Sequence, residues 1–287
     1  MKAPFSGIIT ATITPYKDSG EVDTDALVSL IKHLASCGIE GFLPLGTTGE
    51  FPMLDAKEKI AVIEAACRAA GKTNPVITGV WAQDRTERSL LVRTSQESGA
   101  RGIFLTTPIY YPATRESLLE WYRSVKRETT LPLLAYNIPQ FSGNEIPIDV
   151  LNTLADEGTI QGYKESSPDK NRLKDVFRAL QGRISVFCGN EVNFVRAYEM
   201  GMDGFMSMLG NVFPKTVVAV TKGDRRRFKQ LMAALEIIQK NGGISAIKYI
   251  AKKRGFGNGE GRDLLPPLDA ESKVRLDRFF QYVPEME

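Results

Sequence analysis

Eight short apolar, β-branched runs recur along the chain at a spacing of about thirty residues, each followed by a turn signal and then by a stretch of helical periodicity. The runs cover 7–14, 41–45, 75–80, 102–107, 132–136, 160–164, 184–188 and 203–208. Between them, 25–36, 55–70, 86–98 and 117–127 return apolar residues at three- and four-residue steps, the mark of an amphipathic helix. Strands this apolar are buried on both faces, as in a parallel sheet wrapped by helices. A doubly wound sheet usually stops near six strands, whereas eight βα units with right-handed crossovers close on themselves. The pattern predicts an α/β fold, a (β/α)8 TIM barrel, for which 287 residues is an adequate length.

The catalytic barrel is expected over 1–222, with 223–287 as an additional C-terminal helical region carrying helices at 225–240, 244–253 and 270–280. Gly255, Gly257, Gly259 and Gly261 open no helix after a strand, so they read as a flexible loop rather than a nucleotide-binding turn. Arg225, Arg226 and Arg227 read as a solvated helix face.

Charged residues make up 25% of the chain and the net charge is only +3, which gives no field that calls for nucleic acid or an anionic membrane. The start lacks the apolar run of a secretion signal, and no stretch reaches the ~18 apolar residues of a membrane helix, so a cytoplasmic location is expected. Cys37, Cys67 and Cys188 are widely spaced in apolar contexts, which fits a reducing compartment better than a disulfide framework. A single histidine, His33, lies in a helical pattern with Leu27, Leu30, Ile31 and Leu34, and no cysteine pair has ligand spacing. No metal site is therefore expected.

In a parallel barrel the active site forms at the carboxyl ends of the strands, so the informative residues are the polar ones that finish each apolar run. Strand two leads into Gly46-Thr47-Thr48-Gly49-Glu50, strand four into Thr107-Pro108-Ile109-Tyr110-Tyr111, strand five into Tyr136-Asn137 and strand six into Lys164-Glu165. An ammonium at the end of a buried strand is partly desolvated, and burial disfavours charge, which is how a barrel makes a nucleophilic amine. The competing use of Lys164 is an ion pair with Glu165 or another rim carboxylate. Tyr136 ends the neighbouring strand, where its phenol can shuttle protons or simply edge the core. Thr47 and Thr48 between two glycines offer hydroxyls and backbone N–H groups suited to one carboxylate, although the same tetrapeptide also makes an ordinary tight turn.

Taken together, these segments resemble the dihydrodipicolinate synthase and N-acetylneuraminate lyase superfamily of Schiff-base class I aldolases. The matching pieces are Gly46 to Glu50, Thr107 to Pro112, Tyr136-Asn137-Ile138-Pro139 with Ser142-Gly143, and Gly162-Tyr163-Lys164-Glu165, in the same order and spacing along essentially the whole chain. The resemblance implies that Lys164 forms a Schiff base with pyruvate or a related 2-oxo acid, and that Tyr136 moves the protons. It also implies that Gly46, Thr47 and Thr48 receive the carboxylate, and that Thr48 links Tyr136 to Tyr110. In the family that last tyrosine commonly comes across a tight dimer interface, so a homodimer or homotetramer is implied. No metal or organic cofactor is required, and the partners are a 2-oxo acid and an aldehyde.

Two departures narrow the substrate. Dihydrodipicolinate synthases usually carry an arginine two residues after the proline of the Tyr-Asn-x-Pro segment, where Phe141 stands here, and an aromatic ring cannot make a bidentate carboxylate contact. N-acetylneuraminate lyases usually follow strand seven with two adjacent carboxylates, where Asn190-Glu191 keeps one. A 2-keto-3-deoxy sugar acid aldolase, cleaving a compound such as 2-keto-3-deoxygluconate, is therefore the expected activity. Phe141, Asn190, Glu191 and Ser207, with Gln140, are expected to line the distal pocket; aspartate semialdehyde condensation and N-acetylneuraminate cleavage are the alternatives.

Overall fold

A computed structural model describes residues 5–282 of the chain. Each predicted run overlaps a strand: β1 Gly7–Ala11, β2 Gly41–Leu43, β3 Ile77–Gly79, β4 Gly102–Thr106, β5 Leu133–Asn137, β6 Gly162–Glu165, β7 Ser185–Cys188 and β8 Gly204–Ser207. All pair in parallel in the order β2-β1-β8-β7-β6-β5-β4-β3, and a parallel bridge between Phe42 and Val76 joins the two ends. The fold is the (β/α)8 barrel, with helices between the strands and C-terminal helices after the last one.

Local sequence sets the start of six of the helices. Asp23, Asp55, Asp84, Thr114, Asp169 and Asp224 each accept a backbone N–H from the first turn that follows, satisfying a donor the helix itself leaves free. At Asp55 the cap is reciprocal, because Glu58 reaches back to the Asp55 amide. Capping places the predicted helices within a residue or two of the expected bounds, for example Thr24–Ser36 and Ala56–Ala70.

The strands divide the core in two. Ile9, Leu43, Ile77, Phe104, Leu134, Tyr136, Phe187 and Met206 fill the barrel interior. Outward residues such as Leu133, Ala135, Tyr163 and Val186 meet the helices. Helices Arg225–Lys240, Ile244–Lys253 and Ala270–Tyr282 pack outside this shell. The expected flexible Gly-rich loop is instead a packed tie. The Asn258 amide donates to Tyr16 O at 2.8 Å, and a Cβ on Gly257 would stand 2.8 Å from Pro15 Cβ, so the absence of a side chain is what lets the segment lie on the β1 loop. Among the described residues no helix is long and apolar enough to cross a membrane.

Candidate active site

Register brings the chemistry together. Tyr136 on β5 pairs with Lys164 on β6, which pairs with Phe187 on β7. Laterally paired residues share a face, and Tyr136 and Phe187 are interior, so Lys164 also points into the barrel. It is 6% exposed, with Nζ 4.5 Å from the Tyr136 ring centroid and 5.6 Å from that of Phe104. The Phe104 and Tyr136 rings are themselves 4.6 Å apart, so the ammonium rests against an aromatic floor.

Alternation sends Glu165 to the opposite face, which excludes Glu165 as an ion-pair partner of Lys164. Glu165 is 1% exposed and fully engaged. It accepts from Tyr163 Oη at 2.5 Å, Asn137 Nδ2 at 2.9 Å, the Ser167 amide at 2.7 Å and Arg172 Nε at 2.9 Å. Arg172 continues to Glu145 at 2.8 Å and to Ile146 O, tying the ends of β5 and β6 to the following helix. Burial, and then the negative charge of Glu165, hold the Tyr163 phenol far above its ordinary range, so it remains a donor.

After β2 the chain makes a 3₁₀ turn over Thr47–Gly49, with Gly46 at its N-cap. A Cβ on Gly46 would meet the tip of the Leu43 side chain, Cδ2, at 2.7 Å, so a larger residue there would make Leu43 shift. Thr47 Oγ1 lies 3.5 Å from Tyr136 Oη, whereas the resemblance assigns that link to Thr48. The first hydroxyl of the 3₁₀ turn, not the second, therefore meets the phenol, and Thr48 is buried. Leu45, Glu50 and Tyr110 are the non-glycine residues with left-handed backbone among those described, and all stand in the loops after β2 and β4.

Tyr110 stands out from the mouth, 84% exposed and edge-on to Tyr111 at 4.9 Å, so within one chain the hydroxyl series ends at Thr47. Phe141 is 69% exposed at the same rim. The other distal residues already have structural partners. Glu191 Oε1 accepts from Ser207 Oγ at 2.9 Å and from the Met208 and Leu209 amides, joining the loops after β7 and β8. Asn190 Oδ1 accepts from the Val192 amide, and Gln140 Nε2 donates to Ser166 O.

Two residues beside Lys164 escaped the sequence reading. The Ser166 hydroxyl is buried and has no hydrogen-bond partner among the described residues. Gly189, the first residue past β7, leaves room that Lys164 occupies: an added Cβ would stand 2.4 Å from Lys164 Cε and 2.2 Å from Ser166 Oγ. A glycine just past the end of the neighbouring strand, two residues beyond the Phe187 that pairs with Lys164, was the available signal. No group of three or more His, Cys, Asp or Glu that could hold a metal occurs among the described residues.

The model of the dihydrodipicolinate synthetase family matches residues 4–282. The chain belongs to that family. It is accordingly a carbon–carbon lyase of the dihydrodipicolinate synthetase family. The 4-hydroxy-tetrahydrodipicolinate synthase of Aquifex aeolicus is 34% identical over 232 residues, 79% of each chain. An uncharacterised DapA-like lyase of Halobacterium salinarum is 28% identical over 279 residues, 94% of this chain and 91% of that one. Among solved structures, YagE, a prophage protein of the dihydrodipicolinic acid synthase family from E. coli K12 in complex with pyruvate, superposes with a TM-score of 0.92 at 25% identity, covering 98% and 99% of the two chains. The dihydrodipicolinate synthase of Aquifex aeolicus gives 0.89 at 30% identity, covering 98% of each.

Proposed function

We propose that this family member is a 2-keto-3-deoxy sugar acid aldolase that works through an imine on Lys164. The observation that carries the reading is the placement of Lys164 Nζ 4.5 Å over the Tyr136 ring, with Thr47 Oγ1 3.5 Å from the same phenol. The Lys164 amine, as free base, attacks the C2 carbonyl, and Tyr136 supplies the protons with which the carbinolamine loses water. The hydroxyls and amides of Thr47 and Thr48 receive the carboxylate, aided by the absence of a side chain at Gly46. The protonated imine then accepts the electron pair of the C3–C4 bond as that bond breaks. The C4 hydroxyl proton passes to the Tyr136 phenolate and the aldehyde departs. Protonation of the enamine at C3 and hydrolysis of the imine release pyruvate. Lys164 itself supplies the electron sink, so no metal or organic cofactor enters the scheme.

Phe141 at the rim favours a neutral polyol chain over a second carboxylate, and the half-buried Asn190 is the polar candidate that remains for the distal end, because Glu191 and Ser207 are buried against each other. The names of relatives at 34% identity favour a second reading, condensation of pyruvate with aspartate semialdehyde. The purified chain offered 2-keto-3-deoxygluconate should release pyruvate, and offered pyruvate with aspartate semialdehyde should consume neither at a comparable rate. The reverse result would replace the first reading with the second.

We read the assembly as a dimer or a tetramer of dimers in the cytoplasm. Three large exposed aromatics, Tyr110, Tyr111 and Phe141, support burial of this rim against a second copy. Light scattering that gave a monomer mass would remove that part.

A further inference from the structure

Immediately after the Thr47–Gly49 turn the backbone turns left-handed at Glu50, φ 60°, and drives its carboxylate into the protein, where Glu50 is 1% exposed. Nothing on its own loop neutralises it. Its partners come from the far end of the chain: Lys248 Nζ, on helix Ile244–Lys253, pairs with Oε1, and the Arg262 amide donates to Oε2 at 2.8 Å. Lys248 is also 1% exposed, and its ammonium lies 3.7 Å over the Tyr16 ring, which the Arg262 guanidinium also meets at 4.5 Å. Arg262 itself pairs with Glu58. The same turn is held from the barrel side by Thr14 Oγ1, which donates to Gly49 O at 2.7 Å.

A buried ion pair is a poor way to gain stability, because desolvating both charges offsets most of their attraction, and apolar residues of similar volume do as well or better. Burial pushes the Lys248 ammonium down to about 8 even against the pull of Glu50. What an ion pair supplies that an apolar contact does not is a fixed position for one atom. Here that atom belongs to the residue that ends the turn carrying Thr47 and Thr48, in a backbone conformation non-glycine residues rarely adopt.

We propose that Lys248 and Glu50 are positioning residues: the C-terminal helix pins the turn that receives the substrate carboxylate, and so sets affinity for the carboxylate rather than the reactivity of Lys164. The proposal rests on the Schiff-base reading and deepens it. It predicts a selective defect. Loosening the turn should weaken capture of a 2-oxo acid and leave a ketone without a carboxylate unaffected.

The test compares borohydride trapping of pyruvate with that of hydroxyacetone, a neutral ketone, on the native chain, Glu50→Gln and Glu50→Gln/Lys248→Met. The single variant keeps an acceptor for the Arg262 amide; the double removes both buried charges at similar volume, so either one that folds carries the test. The expected result is a rise of about tenfold in half-saturating pyruvate, with the saturated yield on Lys164 unchanged and hydroxyacetone trapping within about twofold of native. Pyruvate half-saturation within about twofold of native, or equal shifts for both ketones, would overturn the proposal. Loss of folding in both variants would assign the pair to stability and overturn it as well. A native chain that trapped no pyruvate at Lys164 would instead remove the Schiff-base reading beneath it.

Discussion

On β6 the alternation of a strand separates two neighbours with opposite tasks: Lys164 turns inward to Tyr136, and Glu165 turns outward to Arg172. That separation leaves the amine against the Tyr136 ring and away from the carboxylate of its neighbour. Replacing Tyr136 by Phe should keep the aromatic floor but slow imine formation by roughly 10²-fold or more, the usual range for a lost proton shuttle, as measured by time-resolved trapping. The thiols offer a second check. Burial raises Cys67 to about 11 and Cys188 to about 12, while Cys37 is partly exposed, so alkylation at pH 8 should mark Cys37 alone. Because the folded chain holds the Cys67 proton while the unfolded chain loses it above about 9, its contribution is intact below pH 9 and falls as pH rises to about 11. Cys67→Ala should therefore lose less stability than the native chain across that window, by about 2 kcal/mol, in denaturant titrations at the two pH values. Lys164 and Tyr136 were legible in sequence because a polar residue closing an apolar run is an anomaly. The outward turn of Glu165 was also written there, in the period of two, but its four donors were not, since Asn137 and Arg172 reach it only through pairing and helix packing. The choice between Thr47 and Thr48 was hidden for a related reason, because a 3₁₀ turn has no side-chain period in so short a segment.

Strands and loops act on the site by where they come close. Gly189 follows β7 against the stem of Lys164, and a methyl there would displace the lysine or Ser166. Gly189→Ala should fold, because the nearest obstacles are side chains, yet trap pyruvate roughly 10- to 100-fold more slowly, the penalty of a misplaced reacting group. Unchanged trapping would show that the lysine stem has slack. The Glu165–Arg172 pair joins β5, β6 and the following helix from outside the barrel. Arg172→Met leaves a buried carboxylate unpaired and should cost about 3–5 kcal/mol of unfolding free energy, whereas the double variant Glu165→Gln/Arg172→Met should cost less. Strand positions were readable from apolar runs, and helix starts from Asp and Thr caps. The Gly255–Gly261 segment was not, because glycine marks both flexibility and close approach, and only the contact with Pro15 distinguishes them.

At the scale of the whole molecule, closure of eight parallel strands converts eight separate strand ends into one mouth, which is why residues as distant as Thr47, Tyr136 and Lys164 meet. The repeat made that closure legible before any coordinate. The connection that the repeat could not reveal runs from the C-terminal helices back to the β2 loop through Lys248 and Glu50, because nothing local to either residue announces the other. The central claim, that Lys164 is the nucleophile, is tested most directly by borohydride reduction in the presence of pyruvate followed by peptide mass mapping. One reduced pyruvyl group on the peptide containing Lys164, absent from Lys164→Ala, is the predicted result; no adduct, or an adduct on another lysine, would contradict it.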